Sequence, residues 1–205
     1  MTADPIDVVI VDSGGANLAS LQFALERLGA RSAVSTDCEV IGRAPRVLLP
    51  GVGSAQDAMA RLRATGLDRV LPGLRQPVLG ICLGMQLLYR RSEEGDTPCL
   101  GILPATVHRL EPASGRPVPH MGWNEVRQCG PHPMWDGIPD GERFYFVHSY
   151  FVVPAEASLT AAETDYGVRF TSAVARANIF AAQFHPEKSA AAGLRLLANF
   201  IRWQP

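Results

Sequence analysis

The chain has 205 residues, of which 47% are hydrophobic and 19% charged, so it is long enough for one substantial core and short for two. Its formal net charge is −1 and it has no long run of like charge, which argues against a nucleic-acid face and a polybasic membrane anchor. Its apolar stretches fall short of the roughly 18 residues that span a membrane, and its first residues lack a secretory-signal pattern. We therefore expect one cytoplasmic domain over residues 1–205.

Strand and helix patterns alternate in the first half of the chain. In order, they predict a strand over residues 8–11, a helix over 17–28, a strand over 47–49, a helix over about 54–63, and a strand over 77–81 followed by a helix from Leu83 to about Arg90. This alternation predicts an α/β fold with a mostly parallel central sheet and helices on both faces. Such sheets bind ligands beyond the carboxyl ends of their strands.

Frequent prolines after Gly101 argue against helices until the last part of the chain. Strand patterns occur at residues 144–148 and at 172–177 with 179–184, where a hairpin would turn near Asn178. A helix over about 190–203 closes the chain. We expect these later strands to extend the sheet in antiparallel fashion.

A cysteine stands between the fourth strand pattern and the helix after it, in the sequence Gly-Ile-Cys-Leu-Gly-Met-Gln of residues 80–86. Cys82 would lie near a helix N-terminus, where unpaired N–H groups and the helix dipole favour the reactive thiolate. The flanking glycines suit a strained turn that presents a nucleophile. Taken alone, the pattern is equally compatible with a small buried core residue.

A second motif, residues 183–189, places His185 and Glu187 two apart, which on an extended segment directs both side chains to one side. A neutral imidazole can take a proton from a thiol, and a carboxylate behind it fixes the ring tautomer. Each residue alone would more often be a structural histidine or a surface charge.

Together, the motifs resemble those of the triad (class I) glutamine amidotransferases, Gly-x-Cys-x-Gly-x-Gln and Phe-His-Pro-Glu. The resemblance implies that Cys82, His185 and Glu187 are catalytic, and that glutamine is hydrolysed through a γ-glutamyl thioester. It implies no metal and no organic cofactor.

The resemblance also assigns further parts of a site. The backbone N–H groups of Leu83 and Val52 would form the oxyanion hole. For Leu83, the same role is expected from the strained turn, because the residue after the nucleophile directs its N–H toward the reacting carbonyl. The loop with Gly51, the side chain of Gln86, and the strand segment with Ser149 and Tyr150 would contact the substrate. Taken alone, the loop is an ordinary glycine turn, and Tyr150 could be a core residue.

Residues 12–18, 118–124 and 145–150, together with Lys188, resemble one branch of this family, the glutaminase subunits of imidazole glycerol phosphate synthases in histidine biosynthesis. Their partner is a (β/α)8-barrel cyclase subunit that receives the ammonia in a heterodimer. Asn17, Trp123, Tyr145 and Lys188 would face it, with core packing as the alternative for the two aromatic residues. A turn at residues 120–122 could link the partner to the loop around Val52.

Three other interpretations compete with this one. They are a glutaminase subunit for anthranilate, aminodeoxychorismate or pyridoxal phosphate synthesis, a stand-alone γ-glutamyl hydrolase, and a non-catalytic binding module. The remaining cysteines, Cys38, Cys99 and Cys129, are scattered and form no Cys-x-x-Cys pair, so neither a zinc site nor a disulfide framework is indicated.

Overall fold

The computed structural model describes residues 6–14 and 18–205. The strands within these ranges are β1 Val8–Val11, β2 Ser32–Ser35, β3 Val47–Leu49, β4 Val78–Ile81, β5 Tyr89–Ser92, β6 Thr97–Pro98, β7 Leu103–Arg109, β8 His120–Glu125, β9 Arg127–Gln128, β10 Arg143–His148, β11 Tyr150–Val152, β12 Thr160–Asp165, β13 Arg169–Arg176 and β14 Ile179–Ala182. The helices are α1 Leu18–Arg27, α2 Cys38–Arg43, α3 Ala55–Thr65, α4 Leu67–Val70, α5 Leu83–Leu87 and α6 Ala190–Arg202.

One mixed sheet forms the centre of the fold. Its strands run in the order β2-β1-β3-β4-β14-β13-β11-β7-β5-β6, with β12 and β9 attached beside β13. The first five strands of this order are parallel to one another, and the sheet continues beyond β14 mainly through antiparallel pairings. The predicted α/β fold, with a parallel sheet extended by antiparallel strands, is confirmed.

Helices cover both faces of the parallel part because its strands are apolar on both sides. Val8 and Ile10 of β1 lie in the core formed with α1 and α6, whereas Val9 and Val11 lie in the core formed with α2, α3 and α5. Successive residues of a strand point to opposite faces, so one short apolar run contributes to two cores.

The carboxyl ends of β3, β4 and β14 lie side by side. Leu49 pairs with Gly80, and Ile81 pairs with Ala182. The loop after Leu49, the turn at Cys82 and the segment after Ala182 therefore leave the sheet at one edge. This register brings together motifs that are about a hundred residues apart in the sequence.

Two local predictions were wrong. The helix after Cys82 ends at Leu87, and Arg90 lies in β5. The chain becomes a strand there because it pairs with β7, and the Leu103 N–H donates to the Leu88 carbonyl at 2.8 Å. Residues 120–122 belong to strand β8, which pairs with β10 from His120 opposite His148 onward, and they form no turn.

The other predicted elements agree with the structure within a few residues, including the hairpin of β13 and β14 that turns at residues 177–178. The described ranges hold no helix with both the length and the apolar character needed to cross a bilayer.

Candidate active site

Cys82 occupies a sharp turn between β4 and α5. Its backbone has φ 52° and ψ −112°, a conformation that L-residues rarely adopt and that costs on the order of 1–3 kcal/mol. The glycines on either side permit this turn: a Cβ on Gly80 would lie 2.9 Å from the Ala181 Cβ, and a Cβ on Gly84 would overlap the Leu49 carbonyl. The motif is glycine-rich because the turn is packed directly against neighbouring strands.

His185 and Glu187 form a buried pair beside this turn. The imidazole Nδ1 lies 2.8 Å from the Glu187 Oε1, and the two side chains are 3% and 1% exposed. A carboxylate can only accept, so Nδ1 carries the proton and Nε2 is left as the basic nitrogen. Burial acts to lower the pKa of His185, but the Cys82 sulfur and the Glu187 carboxylate together raise it above its ordinary value, because both stabilise the imidazolium that forms when the ring takes the Cys82 proton.

The backbone of His185 is held from two sides. Its N–H donates to the Tyr145 carbonyl at 2.9 Å, and its carbonyl accepts from the Ser189 hydroxyl at 2.7 Å. The same hydroxyl accepts the Tyr145 N–H at 2.9 Å. No role was predicted for Ser189, which lies within the motif of residues 183–189; the structure makes it the link between the histidine and β10.

A cleft of about 340 Å³ opens over Cys82. Ligand pockets for small molecules commonly have about this size. The predicted residues that line it are Val52, Cys82, Leu83, Gln86, Ser149, Tyr150, His185 and Lys188. The cleft is also lined by residues for which no individual substrate contact was predicted, namely Gly53, Glu94, Pro119, Val147 and His148.

Two predicted residues lie behind the cleft wall. Gly51 and Glu187 line a separate cavity of about 10 Å³ together with Pro50 and Ile81. Gly51 packs on the start of α5, since a Cβ there would lie 2.8 Å from the Leu83 Cβ. The contribution of Gly51 in this structure is close packing of the Val52 loop against the elbow.

Two glutamines connect the cleft wall to the sulfur. The Gln86 Nε2 donates to the Tyr150 carbonyl at 3.1 Å and to the Gln183 Oε1 at 3.0 Å, and the Gln183 Nε2 lies 3.6 Å from the Cys82 Sγ. Gln183 is completely buried. No role was predicted for Gln183; its position two residues before His185 on an extended segment was the available signal.

An aromatic patch, defined as Met121, Trp123, Tyr145 and Lys188, lies beside the cleft. Met121 and Trp123 are 62% and 51% exposed. The Trp123 and Tyr145 rings meet edge to face at 6.1 Å, and the Lys188 Nζ lies 5.9 Å from the Tyr145 ring centre. Asn17, the fourth predicted interface residue, lies outside the described residues.

A buried histidine pair joins β8 to the cleft. The His120 Nδ1 lies 2.9 Å from the His148 Nε2, and the His148 Nδ1 lies 2.8 Å from the Tyr150 carbonyl. Burial lowers the pKa of His120 to about 4, and burial, opposed by the Tyr150 carbonyl, lowers that of His148 to about 3. Both rings are therefore neutral at physiological pH.

A thiol at a strained elbow, beside a histidine whose other nitrogen is held by a buried carboxylate, can perform nucleophilic acyl transfer. On a parallel α/β sheet, this arrangement defines a cysteine-dependent acyl-transfer enzyme. The family model of "Glutamine amidotransferase class-I" matches residues 9–203. The chain belongs to the class-I glutamine amidotransferase family.

Similar proteins agree with this assignment. The chain is 58% identical to "Imidazole glycerol phosphate synthase subunit HisH" of Aromatoleum aromaticum, covering 97% of this chain and 99% of that protein. It is 50% identical to the protein of the same name from Thiobacillus denitrificans, covering 98% and 92% of the two chains. A solved glutamine amidotransferase shares the fold with a TM-score of 0.74 at 20% identity, over 95% of this chain and 97% of that one.

Proposed function

We propose that residues 1–205 form one domain that is the glutaminase subunit of an imidazole glycerol phosphate synthase in histidine biosynthesis. It hydrolyses L-glutamine to glutamate and delivers the ammonia to a (β/α)8-barrel cyclase subunit. The observation that carries the proposal is the 58% identity to a HisH subunit over nearly the whole of both chains. The cleft over Cys82 supplies a site for the reaction.

In the first half-reaction, the Cys82 Sγ attacks the side-chain carbonyl carbon of glutamine while His185 takes the thiol proton. The backbone N–H groups of Leu83 and Val52 stabilise the oxyanion, and Val52 and Leu83 line the same cleft. The tetrahedral intermediate then collapses: the C–N bond breaks, His185 returns the proton to the leaving amine, and ammonia departs from a γ-glutamyl thioester.

In the second half-reaction, His185 removes a proton from water, and the resulting hydroxide attacks the thioester carbonyl. The C–S bond breaks, His185 returns the proton to the Cys82 sulfur, and glutamate leaves. Glu187 keeps the Nδ1 proton in place throughout and stabilises the imidazolium that forms twice in the cycle. These two steps are chemically complete with glutamine, water and the residues of the chain.

Gln86, Ser149 and Tyr150 line the cleft. Gln86 would contact the substrate glutamine, and Ser149 and Tyr150 would hold its α-amino and α-carboxylate groups, with Gly51 supporting the loop above them. The aromatic patch supports the proposed docking surface. An exposed Trp next to a Tyr matches the aromatic residues that are enriched in binding hot spots, and this patch borders the cleft through Lys188. Ammonia released there would reach the partner without crossing open water. A reducing cytoplasm suits the free thiol.

The test is glutamate release by the purified chain, alone and with a barrel cyclase subunit carrying its nucleotide. We expect strong stimulation by the loaded partner and its loss in Cys82→Ala, whereas the matched Cys129→Ala, at an exposed position, keeps it. Ammonium salts should restore cyclase product formation by the Cys82→Ala complex, which separates a lost glutaminase from failed assembly. Full activity without a partner would favour a stand-alone hydrolase instead.

A further inference from the structure

Gln183 places a completely buried primary amide against the Cys82 sulfur. The amide nitrogen lies 3.6 Å from Sγ, and Cys82 itself is only 7% exposed. The backbone N–H of Gln183 donates to the Ser172 carbonyl at 2.9 Å, so the residue continues the pairing of β13 and β14 and its side chain has little freedom. Burial of an amide is costly unless its polar atoms are bonded, so its partners need explaining.

The hydrogen-bond network determines which end of the amide faces the sulfur. The Tyr150 carbonyl can only accept, so the Gln86 atom 3.1 Å from it must be the amide nitrogen. That same nitrogen lies 3.0 Å from the Gln183 side chain, which must present its oxygen to it. The end of Gln183 directed at Cys82 is therefore the donor NH2 group. Gln86 acts as the orienting residue for Gln183.

We propose that Gln183 holds the reactive sulfur: its side-chain NH2 donates a hydrogen bond to Cys82 Sγ, which raises the thiolate fraction and fixes the nucleophile beside His185. The inference rests on the proposed role of Cys82 as the nucleophile. An N–H donor binds a charged acceptor more strongly than a neutral one, so the bond shifts the thiol equilibrium toward thiolate. This hydrogen bond acts in addition to the strained turn at Cys82 and the base His185.

The test measures thiolate formation without glutamine or a partner. The rate of Cys82 alkylation by iodoacetamide is followed against pH by mass spectrometry of the Cys82 peptide, with Cys129 as an internal reference. The variants are Gln183→Met, which removes the donor at similar volume, and Gln183→Glu, which places an acceptor at the sulfur. Gln204→Glu adds the same charge near the C-terminus, away from the cleft.

We expect the alkylation midpoint to rise by about 1 pH unit in Gln183→Met and by more in Gln183→Glu, with no change in Gln204→Glu. In the glutaminase assay, kcat should fall more than KM rises, because the bond acts on the nucleophile and not on bound glutamine. A midpoint in both folded Gln183 variants equal to that of the unmodified chain would overturn the proposal.

A second measurement keeps the proposal testable if a variant fails to fold. In the unmodified chain labelled with side-chain ¹⁵N-glutamine, the Gln183 NH2 resonance should shift with the same pH midpoint as alkylation and should lose that shift in Cys82→Ala. A resonance insensitive to thiol ionisation would contradict the hydrogen bond. Because neither measurement uses glutamine, a thiolate effect in a chain that released no glutamate even with the loaded partner would overturn the glutaminase proposal alone.

Discussion

Replacing Glu187 by glutamine should remove most of the activity while leaving the fold intact. The carboxylate lies 2.8 Å from the His185 Nδ1, and both side chains are almost completely buried. Opposite charges centred about 4 Å apart at an effective dielectric constant near 20 interact by about 4 kcal/mol. Since each 1.36 kcal/mol changes a rate about tenfold, loss of this stabilisation of the imidazolium corresponds to about a 10³-fold fall in kcat.

The expected fall is concentrated in kcat. Glu187 lies behind His185 and outside the wall of the cleft, so binding of glutamine should change little and KM should stay within a few-fold. Glutamine can still accept from Nδ1 through its amide oxygen, so the loss is of charge more than of geometry. The pKa of His185 should fall in the variant because one of the groups that raise it is gone.

The assay is steady-state glutamate release with the loaded partner, with circular dichroism and thermal unfolding as checks of folding. The matched control is Glu39→Gln, which makes the same change at a carboxylate that is 81% exposed and 3.8 Å from Arg43. Exposed pairs of this kind contribute little, so this control should behave like the unmodified chain. A folded Glu187→Gln protein with kcat within about tenfold of normal would refute the argument from charge.

Three further predictions concern the packing of Gly84, the buried ring of His148 and the half-exposed side chain of Trp123. Gly84→Ala should destabilise the protein by about 1–3 kcal/mol or more, because its Cβ would overlap the Leu49 carbonyl. Urea unfolding measures this loss of stability, and a variant as stable as the unmodified chain would contradict the close packing of the turn at Cys82. The neutral His148 should make stability fall with acid. Its folded pKa of about 3 lies below the value of about 6.5 in an unfolded chain, so the unfolded state binds the proton first as pH drops from 6.5 toward 3. The free energy of unfolding should be about 2 kcal/mol lower at pH 5 than at pH 7.5 for this reason. In paired urea titrations, the unmodified chain should therefore lose about 2 kcal/mol more stability between these two pH values than His148→Gln does. Equal losses would show that the ring is not held neutral. Trp123→Ala should weaken partner binding at least tenfold by calorimetry without lowering the unfolding midpoint, since the side chain is half exposed; a lowered midpoint with unchanged affinity would point to a packing role.

The sequence by itself was sufficient for most of the parallel half of the fold, although strand β2 and helix α2 were not predicted. Val8–Val11 and Val47–Leu49 are short apolar strands buried on both faces, and the helices between them carry apolar residues at helical spacing, so local patterns and long-range packing agree there. The motifs around Cys82 and His185 were also evident, because a strained elbow and a held imidazole each require particular residues at fixed spacing.

Tertiary structure decided what local pattern could not. Arg90 continues a helical pattern, yet the chain there pairs with β7, because the free energy of a sheet edge depends on residues far away in sequence. Residues 120–122 were predicted as a turn next to prolines but are straightened by pairing with β10. Apart from the hairpins of β12 with β13 and of β13 with β14, several pairings formed after residue 100 join distant segments, such as β11 with β7 and β14 with β4, and no neighbouring residue signals them.

The same distinction holds within the site. Sequence spacing could place His185 and Glu187 on one side of an extended segment, but only the register of β4 against β14 brings them to Cys82, across about a hundred residues. The orientation of the Gln183 amide could not be predicted from the sequence, because it depends on two contacts of Gln86. The Gln86 amide nitrogen donates both to the Tyr150 carbonyl of β11 and to the Gln183 side-chain oxygen. Residue types and local geometry were determined by the sequence, whereas contacts between distant segments, and with them the direction of each hydrogen bond at the sulfur, were determined by the packed sheet.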